Sequence, residues 1–273
     1  MVTQEQRKRQ LAREKFLRQQ QRRTSARRKA RMRNSVIASV LGVIVIGSVA
    51  LYTTGVLKGD DDKSNASADV TPSASATSKA PDPCAKPAAG KIKTETWKKE
   101  PAVTIDKSAK YTMKLATTCG DIDIALKTSA APHTVNSFSF LASKGFFDHT
   151  KCHRLTTSGI YVLQCGDPTG AGSGGPGYTI PDENLKDTSL KGGIYPAGTI
   201  AMANTGQAHT GGSQFFLVYK DSTLPASYTP FGTISASGMK VLNKIAAAGE
   251  STGAGDGAPN ATVVINKATV TKS

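Results

Sequence analysis

Tyr111, Met113 and Leu115 alternate with Thr112 and Lys114, and Ile122, Ile124 and Leu126 alternate with Asp121, Asp123 and Ala125. A period of two turns one side of each run toward a core, so both read as half-buried strands, with Cys119-Gly120 as the tight connection between them. Beyond Pro132 the spacing changes. Val135, Phe138, Leu141 and Ala142 recur three and four apart, which places an apolar stripe on one helix that opens at Pro132 and ends at Gly145. Short strands separated by glycine-rich connections are expected around 152–155, 161–164, 199–203, 215–219 and 231–234. Residues 238–248 read as a second helix, with Val241, Leu242 and Ile245 on one face, and 261–270 alternates again as a closing strand. Many short strands with two helices predict a mainly β fold, a closed barrel capped by helices. The stretch 166–198 has to cross its surface as a long loop, and such loops are usually functional.

One segment obeys neither period. The 22 positions 36–57 contain no Asp, Glu, Lys or Arg. As a helix they would extend roughly 33 Å, enough for a hydrocarbon core of about 30 Å. The run is longer than the apolar region of a cleaved secretory signal. It is therefore expected to be a single transmembrane helix, an uncleaved signal-anchor in contact with membrane lipid. Residues 59–100 are rich in Asp, Ser, Ala, Pro, Thr and Lys and read as a disordered tether, with Trp97, the only tryptophan, at its end beside the domain edge. The resulting plan is a basic tail (1–35), a membrane span (36–57), a linker (58–100) and a folded domain (101–273).

The net charge of +15 would suggest a nucleic-acid binder if it were spread over the chain. It is not. Residues 1–34 hold 13 Lys and Arg against Glu5 and Glu14, a local charge of +11, and the remainder carries only +4. No nucleic-acid partner is expected, and the tail reads as a topology signal that keeps the N-terminus cytoplasmic and sends the folded domain across a cell membrane. All four cysteines, Cys84, Cys119, Cys152 and Cys165, then lie on the oxidising side and are expected in disulfides. None forms a C-x-x-C pair, and His133 and His209 stand alone, so no metal is expected.

Three groups of residues stand out together, in this order. The first is Cys152-His153-Arg154 with Val162-Leu163-Gln164-Cys165-Gly166-Asp167-Pro168. The second is the glycine-rich run from Gly170 to Tyr178, followed by Asp182-Glu183. The third is Ala201-Met202-Ala203-Asn204, then Gly211-Gly212-Ser213-Gln214-Phe215-Phe216, then Phe231-Gly232. The glycine run lacks the Lys-Ser/Thr ending of a phosphate-binding loop and precedes no helix. In this order and spacing the set resembles the cyclophilins, from about Tyr111 to Val270. That resemblance implies a closed eight-stranded antiparallel barrel with two capping helices and an active groove on the barrel's outer face.

The same resemblance implies site residues. Arg154 matches the catalytic arginine, Gln164 the groove glutamine, and Phe216 the floor of a proline pocket. Ala203, Asn204 and Gln214 line the groove, and Leu224 forms another wall. With a two-residue insertion around 156–158, Tyr161 and Val162 match a Phe-Met pair in the pocket. Thr223 stands where many family members have a tryptophan and Tyr228 where they have a histidine, so weak binding of cyclosporin-type macrocycles is expected. Alone, an arginine after a strand is ordinarily a solvated charge and paired phenylalanines are core packing; the ordered set reverses that weighting. His153 is expected to be a structural hydrogen-bonding residue. The adjacent strands implied by the resemblance suggest a Cys152–Cys165 pairing, and Cys84 would then pair with Cys119 and tie the tether to the barrel.

The implied activity is that of a rotamase, a peptidyl-prolyl cis-trans isomerase assisting folding of extracytoplasmic proteins. It acts on proline-containing polypeptides, as a monomer, with no cofactor. Two other readings stay open: a non-catalytic module that holds proline-containing peptides, and a membrane-surface scaffold acting through the basic tail.

Overall fold

A computed structural model describes residues 81–273; the expected basic tail, the expected span at 36–57 and the first part of the linker lie outside the described residues. Among the described residues no helix is long and apolar enough to cross a membrane.

The two alternating runs form β1 (Tyr111–Thr117) and β2 (Gly120–Leu126), an antiparallel hairpin in which Thr117 faces Gly120. Gly120 has φ +127°, a conformation L side chains rarely adopt, which is why a glycine sits at this turn. Helix α1 (Pro132–Ser143) starts on its proline and buries Val135, Phe138, Leu141 and Ala142, the stripe read from the spacing. Glu183 receives the backbone N–H of His133 (3.0 Å) and of Thr134 (2.9 Å), a carboxylate at a helix N-terminus supplied from a distant loop.

The remaining strands are β3 (Thr150–Lys151), β4 (Arg154–Thr156), β5 (Val162–Cys165), β6 (Ile194–Tyr195), β7 (Thr199–Met202), β8 (Phe215–Val218), β9 (Ser222–Thr223), β10 (Pro230–Ile234), β11 (Asp256–Gly257) and β12 (Val264–Lys272). Helix α2 (Ala236–Ala247) is capped by Ser235, whose hydroxyl accepts from Gly238 N at 3.0 Å. Four two-residue strands escaped the sequence reading because a run of two has no period.

Ten strands make one sheet in the order β11-β4-β5-β8-β7-β10-β2-β1-β12-β3, and β6 pairs with β9 separately. This corrects the expected closed eight-stranded barrel. The sheet curls, but its ladder ends at β11 and β3 and does not close. The reason is local. Strands β3 and β4 belong to one continuous run separated only by Cys152 and His153, too short a link to fold back into a pair. The seam is held instead by single bonds, Cys152 N to Val263 O (2.9 Å) on one side and His153 N to Gln164 O (3.1 Å) on the other.

The inside of the curl holds the main core. Phe138 packs against Phe147, Phe215 and Phe231, with ring centroids 5.2, 5.6 and 4.6 Å apart. A second, smaller apolar cluster lies apart from it and contains Val162, Tyr195, Ala201, Phe216 and Val218.

The tether expectation changes for residues 81–100. They contain no helix or strand, yet they lie along the domain. Cys84 is bonded to Cys119, and Ala85 N donates to Thr118 O at 2.8 Å. Trp97 sets its ring against Phe140 (5.1 Å) and Phe146 (6.0 Å) and donates its backbone N–H to Pro176 O at 2.8 Å. An apolar ring and a disulfide outweigh a composition that by itself favours a loose chain.

Candidate active site

Strand β5 pairs antiparallel with both β4 and β8, so that Arg154 faces Gln164 and Gln164 faces Phe216. Side chains alternate across a strand, so the partners of one rung share a face. Three residues distant in sequence are thereby set in a row. They line a cavity of about 110 Å³ together with Ile160, Val162, Ala203, Asn204, Leu224 and Tyr228. Phe216 is 5% exposed and stands edge-on to Tyr228, with ring centroids 5.4 Å apart. Beneath them Tyr195, fully buried, donates its hydroxyl to Tyr228 O (2.8 Å) and accepts from Tyr228 N (3.2 Å), which fixes the segment forming that wall. Burial raises the Tyr195 pKa above its ordinary value, so the hydroxyl stays protonated and able to donate.

The polar side of the cavity is a chain of hydrogen bonds. Arg154 donates from Nη1 to Gln164 Oε1 at 3.2 Å, Gln164 Nε2 to Gln214 Oε1 at 2.9 Å, and Gln214 Nε2 to Gly174 O at 2.9 Å. Each amide uses its oxygen toward Arg154 and its nitrogen away from it, which orients both glutamines. At the other end Asp256 grips the guanidinium with two oxygens, from Nε at 2.7 Å and Nη2 at 2.8 Å. Hydrogen bonding to Asp256 raises the Arg154 pKa above its usual value, and hydrogen bonding to Arg154 lowers that of Asp256. The arginine side chain remains 36% exposed, so it is fixed yet open to a ligand.

A second cavity of about 290 Å³ adjoins the first and shares Gln164, Ala203 and Asn204 with it; the glycine loop at 172–175 and Gln214 are also part of its wall. The glycine loop is shaped by Asp167. Its buried carboxylate accepts from Thr169 N (2.7 Å) and Gly172 N (2.6 Å), and although burial would raise its pKa, these hydrogen bonds hold it below the usual range. Asn204 spends its side chain on structure, donating to Ser227 O at 2.8 Å and accepting from Gly206 N at 2.9 Å.

Arg154, Val162, Gln164, Ala203, Asn204, Phe216, Leu224 and Tyr228 therefore meet at one cavity, and Gln214 at its neighbour. Tyr161 does not. It stacks edge-on with Tyr219 at 5.8 Å under the Lys220 ammonium (4.5 Å), and Ile160 lines the cavity in its place. The hairpin tip sets that shift, since Tyr161 N is held by Ser222 Oγ at 2.8 Å. His153 also departs from expectation. Both ring nitrogens are buried without a partner among the described residues, and burial lowers its pKa. Asp256 and Tyr195 were missed; neither lies in a motif. The disulfides are Cys152–Cys165, beside the Arg154–Gln164 rung, and Cys84–Cys119.

A guanidinium fixed beside an apolar hollow on the sheet is an arrangement that can hold one apolar group next to a positioned donor. The chain belongs to the cyclophilin type peptidyl-prolyl cis-trans isomerase/CLD family, whose model matches residues 112–270. It is 47% identical over 195 residues to "Probable peptidyl-prolyl cis-trans isomerase B" of Mycobacterium leprae, covering 68% of this chain and 62% of that protein. The protein of the same name from Mycobacterium tuberculosis is 46% identical over 195 residues, covering 68% and 59%. The chain thus matches about three fifths of the length of these relatives. A Helicobacter pylori "Peptidyl-prolyl cis-trans isomerase" is 39% identical over 156 residues, 56% of this chain and 88% of that protein. A solved Cryptosporidium parvum cyclophilin type peptidyl-prolyl cis-trans isomerase overlaps 60% of this chain and 99% of its own, with a TM-score of 0.49 and 26% identity.

Proposed function

We propose that this protein catalyses rotation about X–Pro peptide bonds in polypeptides outside the cytoplasm, held at the membrane by residues 36–57. The observation that carries the reading is the rung Arg154–Gln164–Phe216, which puts a fixed cation and an aromatic floor on one cavity.

Amide resonance sets a barrier of about 18–20 kcal/mol against rotation. Only X–Pro bonds have cis and trans forms of similar energy, so only there does catalysed interconversion matter. In the twisted transition state the prolyl nitrogen loses conjugation and becomes a better acceptor. An arginine N–H aimed at that nitrogen binds the twisted form more strongly than the planar one, and such a difference is catalysis. Phe216, with Val162, Leu224 and Tyr228, grips the pyrrolidine ring while the preceding residue turns. Gln164 steadies the guanidinium, and the larger neighbouring cavity takes the chain on the other side of the rotating bond. Every step is non-covalent.

Arg154→Ala should lower turnover of a proline-containing peptide at least about tenfold, as loss of one preorganised donor does. The backbone spectrum and melting temperature should stay unchanged. NMR exchange spectroscopy reads the rate without a coupled protease; unchanged turnover discards the mechanism. The anchor is tested separately: alkaline carbonate should leave the chain with membranes, and its release removes residues 36–57 from the account. The same assay on the unaltered chain decides against a purely peptide-holding module if exchange is accelerated.

A further inference from the structure

Resting on that reading, we propose that Asp256 is a positioning residue, which presents the Arg154 guanidinium to the proline cavity in a single orientation. It lies 102 residues from Arg154, in β11, whose pairing with β4 sets Asp256 opposite Thr156 and Gly257 opposite Leu155.

The geometry is that of a clamp. A guanidinium has five N–H groups in one plane. Asp256 takes one on Nε and one on Nη2, and Gln164 takes one on Nη1. Two therefore remain, one on each terminal nitrogen, without a protein partner among the described residues. A bidentate carboxylate fixes both the position and the plane of the group, which a single bond does not. Without Asp256 the guanidinium would keep only the 3.2 Å bond to Gln164 and would swing about it.

Asp256 is itself held. The turn before it folds around Glu250, which accepts from Thr252 N (2.6 Å), Thr252 Oγ1 (2.7 Å) and Gly255 N (2.8 Å). A Cβ at Gly257 would push against the Glu250 carboxylate and the Thr252 methyl, so a side chain there would displace the group around which the turn folds. Thr157 N donates to Gly255 O at 2.9 Å, tying this turn to the extended hairpin at 155–160. Hairpin and turn together thus deliver one carboxylate to the edge of the site. Arginine side chains have many rotamers, and fixing this one before a ligand arrives removes that cost from the bound state.

The test uses the full chain and four variants, Asp256→Asn, Asp256→Glu, Arg154→Ala and the Arg154→Ala/Asp256→Asn pair. Asp256→Asn should lower kcat about fivefold, the scale of a modestly misplaced group, with KM for the peptide changed less than about twofold. Asp256→Glu keeps two acceptor oxygens and should retain at least about half of the turnover. In the Arg154→Ala background the Asn substitution should have no further effect. The Arg154 Nε–H NMR signal, shifted and slow to exchange in the parent, should be lost in Asp256→Asn while the backbone amide spectrum is preserved. Unchanged or increased kcat in Asp256→Asn, or additive losses in the pair, overturns the proposal. If the parent chain shows no turnover, the functional reading fails, and the Nε–H signal still decides: its persistence in Asp256→Asn rules out positioning.

Discussion

Strands β5 and β8 lie side by side, yet their two faces do unlike work. Leu163, Cys165, Phe215 and Leu217 point into the main core, where Phe215 is fully buried and packs on Phe138 and Phe147. Val162, Gln164, Phe216 and Val218, one residue out of phase, point away from it, and three of these four line the candidate site. Phe215 and Phe216 are chemically identical neighbours. Parity along the strand decides that one packs in the main core and the other lines the candidate site. The outer face has its own small core, with Tyr195 under Phe216 and Tyr228, so the cavity has a rigid floor without drawing on the inner packing.

The largest effect that could break this contrast is in Phe215→Ala. Truncating a fully buried aromatic should cost about 3–5 kcal/mol, read as a drop in the urea midpoint. Activity per folded molecule at low temperature should stay close to that of the parent. Phe216→Ala should behave in the opposite sense. Its loss of stability should be about half as large or less, because the side chain already borders a cavity, while kcat/KM should fall at least about tenfold. If the two substitutions give the same profile, the two-faced division of the sheet is wrong.

A smaller effect sharpens the contrast from outside both faces. Asp187, in the long loop, accepts from Lys127 Nζ, from Ser189 N (2.8 Å) and from Asn184 Nδ2 (2.7 Å). Burial alone would raise its pKa, but these partners hold it well below the usual carboxylate range. A depressed folded-state pKa contributes stability above the unfolded value, and that contribution is lost as pH falls toward the folded one. Stability of the parent should therefore decline below about pH 4, and Asp187→Asn should remove part of that decline. At pH 7 the substitution should cost on the order of 1 kcal/mol and leave kcat/KM unchanged. Identical acid profiles for parent and variant would contradict this assignment.

Periodicity alone was enough for β1, β2, the buried stripe of α1 and the two-helix, mainly β composition, because those signals arise within ten or so neighbouring residues. The ordered motifs, through the family resemblance, single out Arg154, Gln164 and Phe216, and the register of the sheet brings these three to one cavity. Other features depend on which segments lie beside which. The ladder does not close because only Cys152 and His153 separate β3 from β4, too short a link for those strands to pair. Ile160 displaces Tyr161 from the cavity because Ser222 holds the hairpin tip. Residues 81–100, whose composition reads as a loose tether, are drawn onto the domain by Trp97 and Cys84. Asp256 meets Arg154 across 102 residues through a two-residue strand too short to leave a pattern. Local order is written in the spacing of side chains along one segment, whereas such meetings follow from the register between segments, which no single stretch of sequence carries.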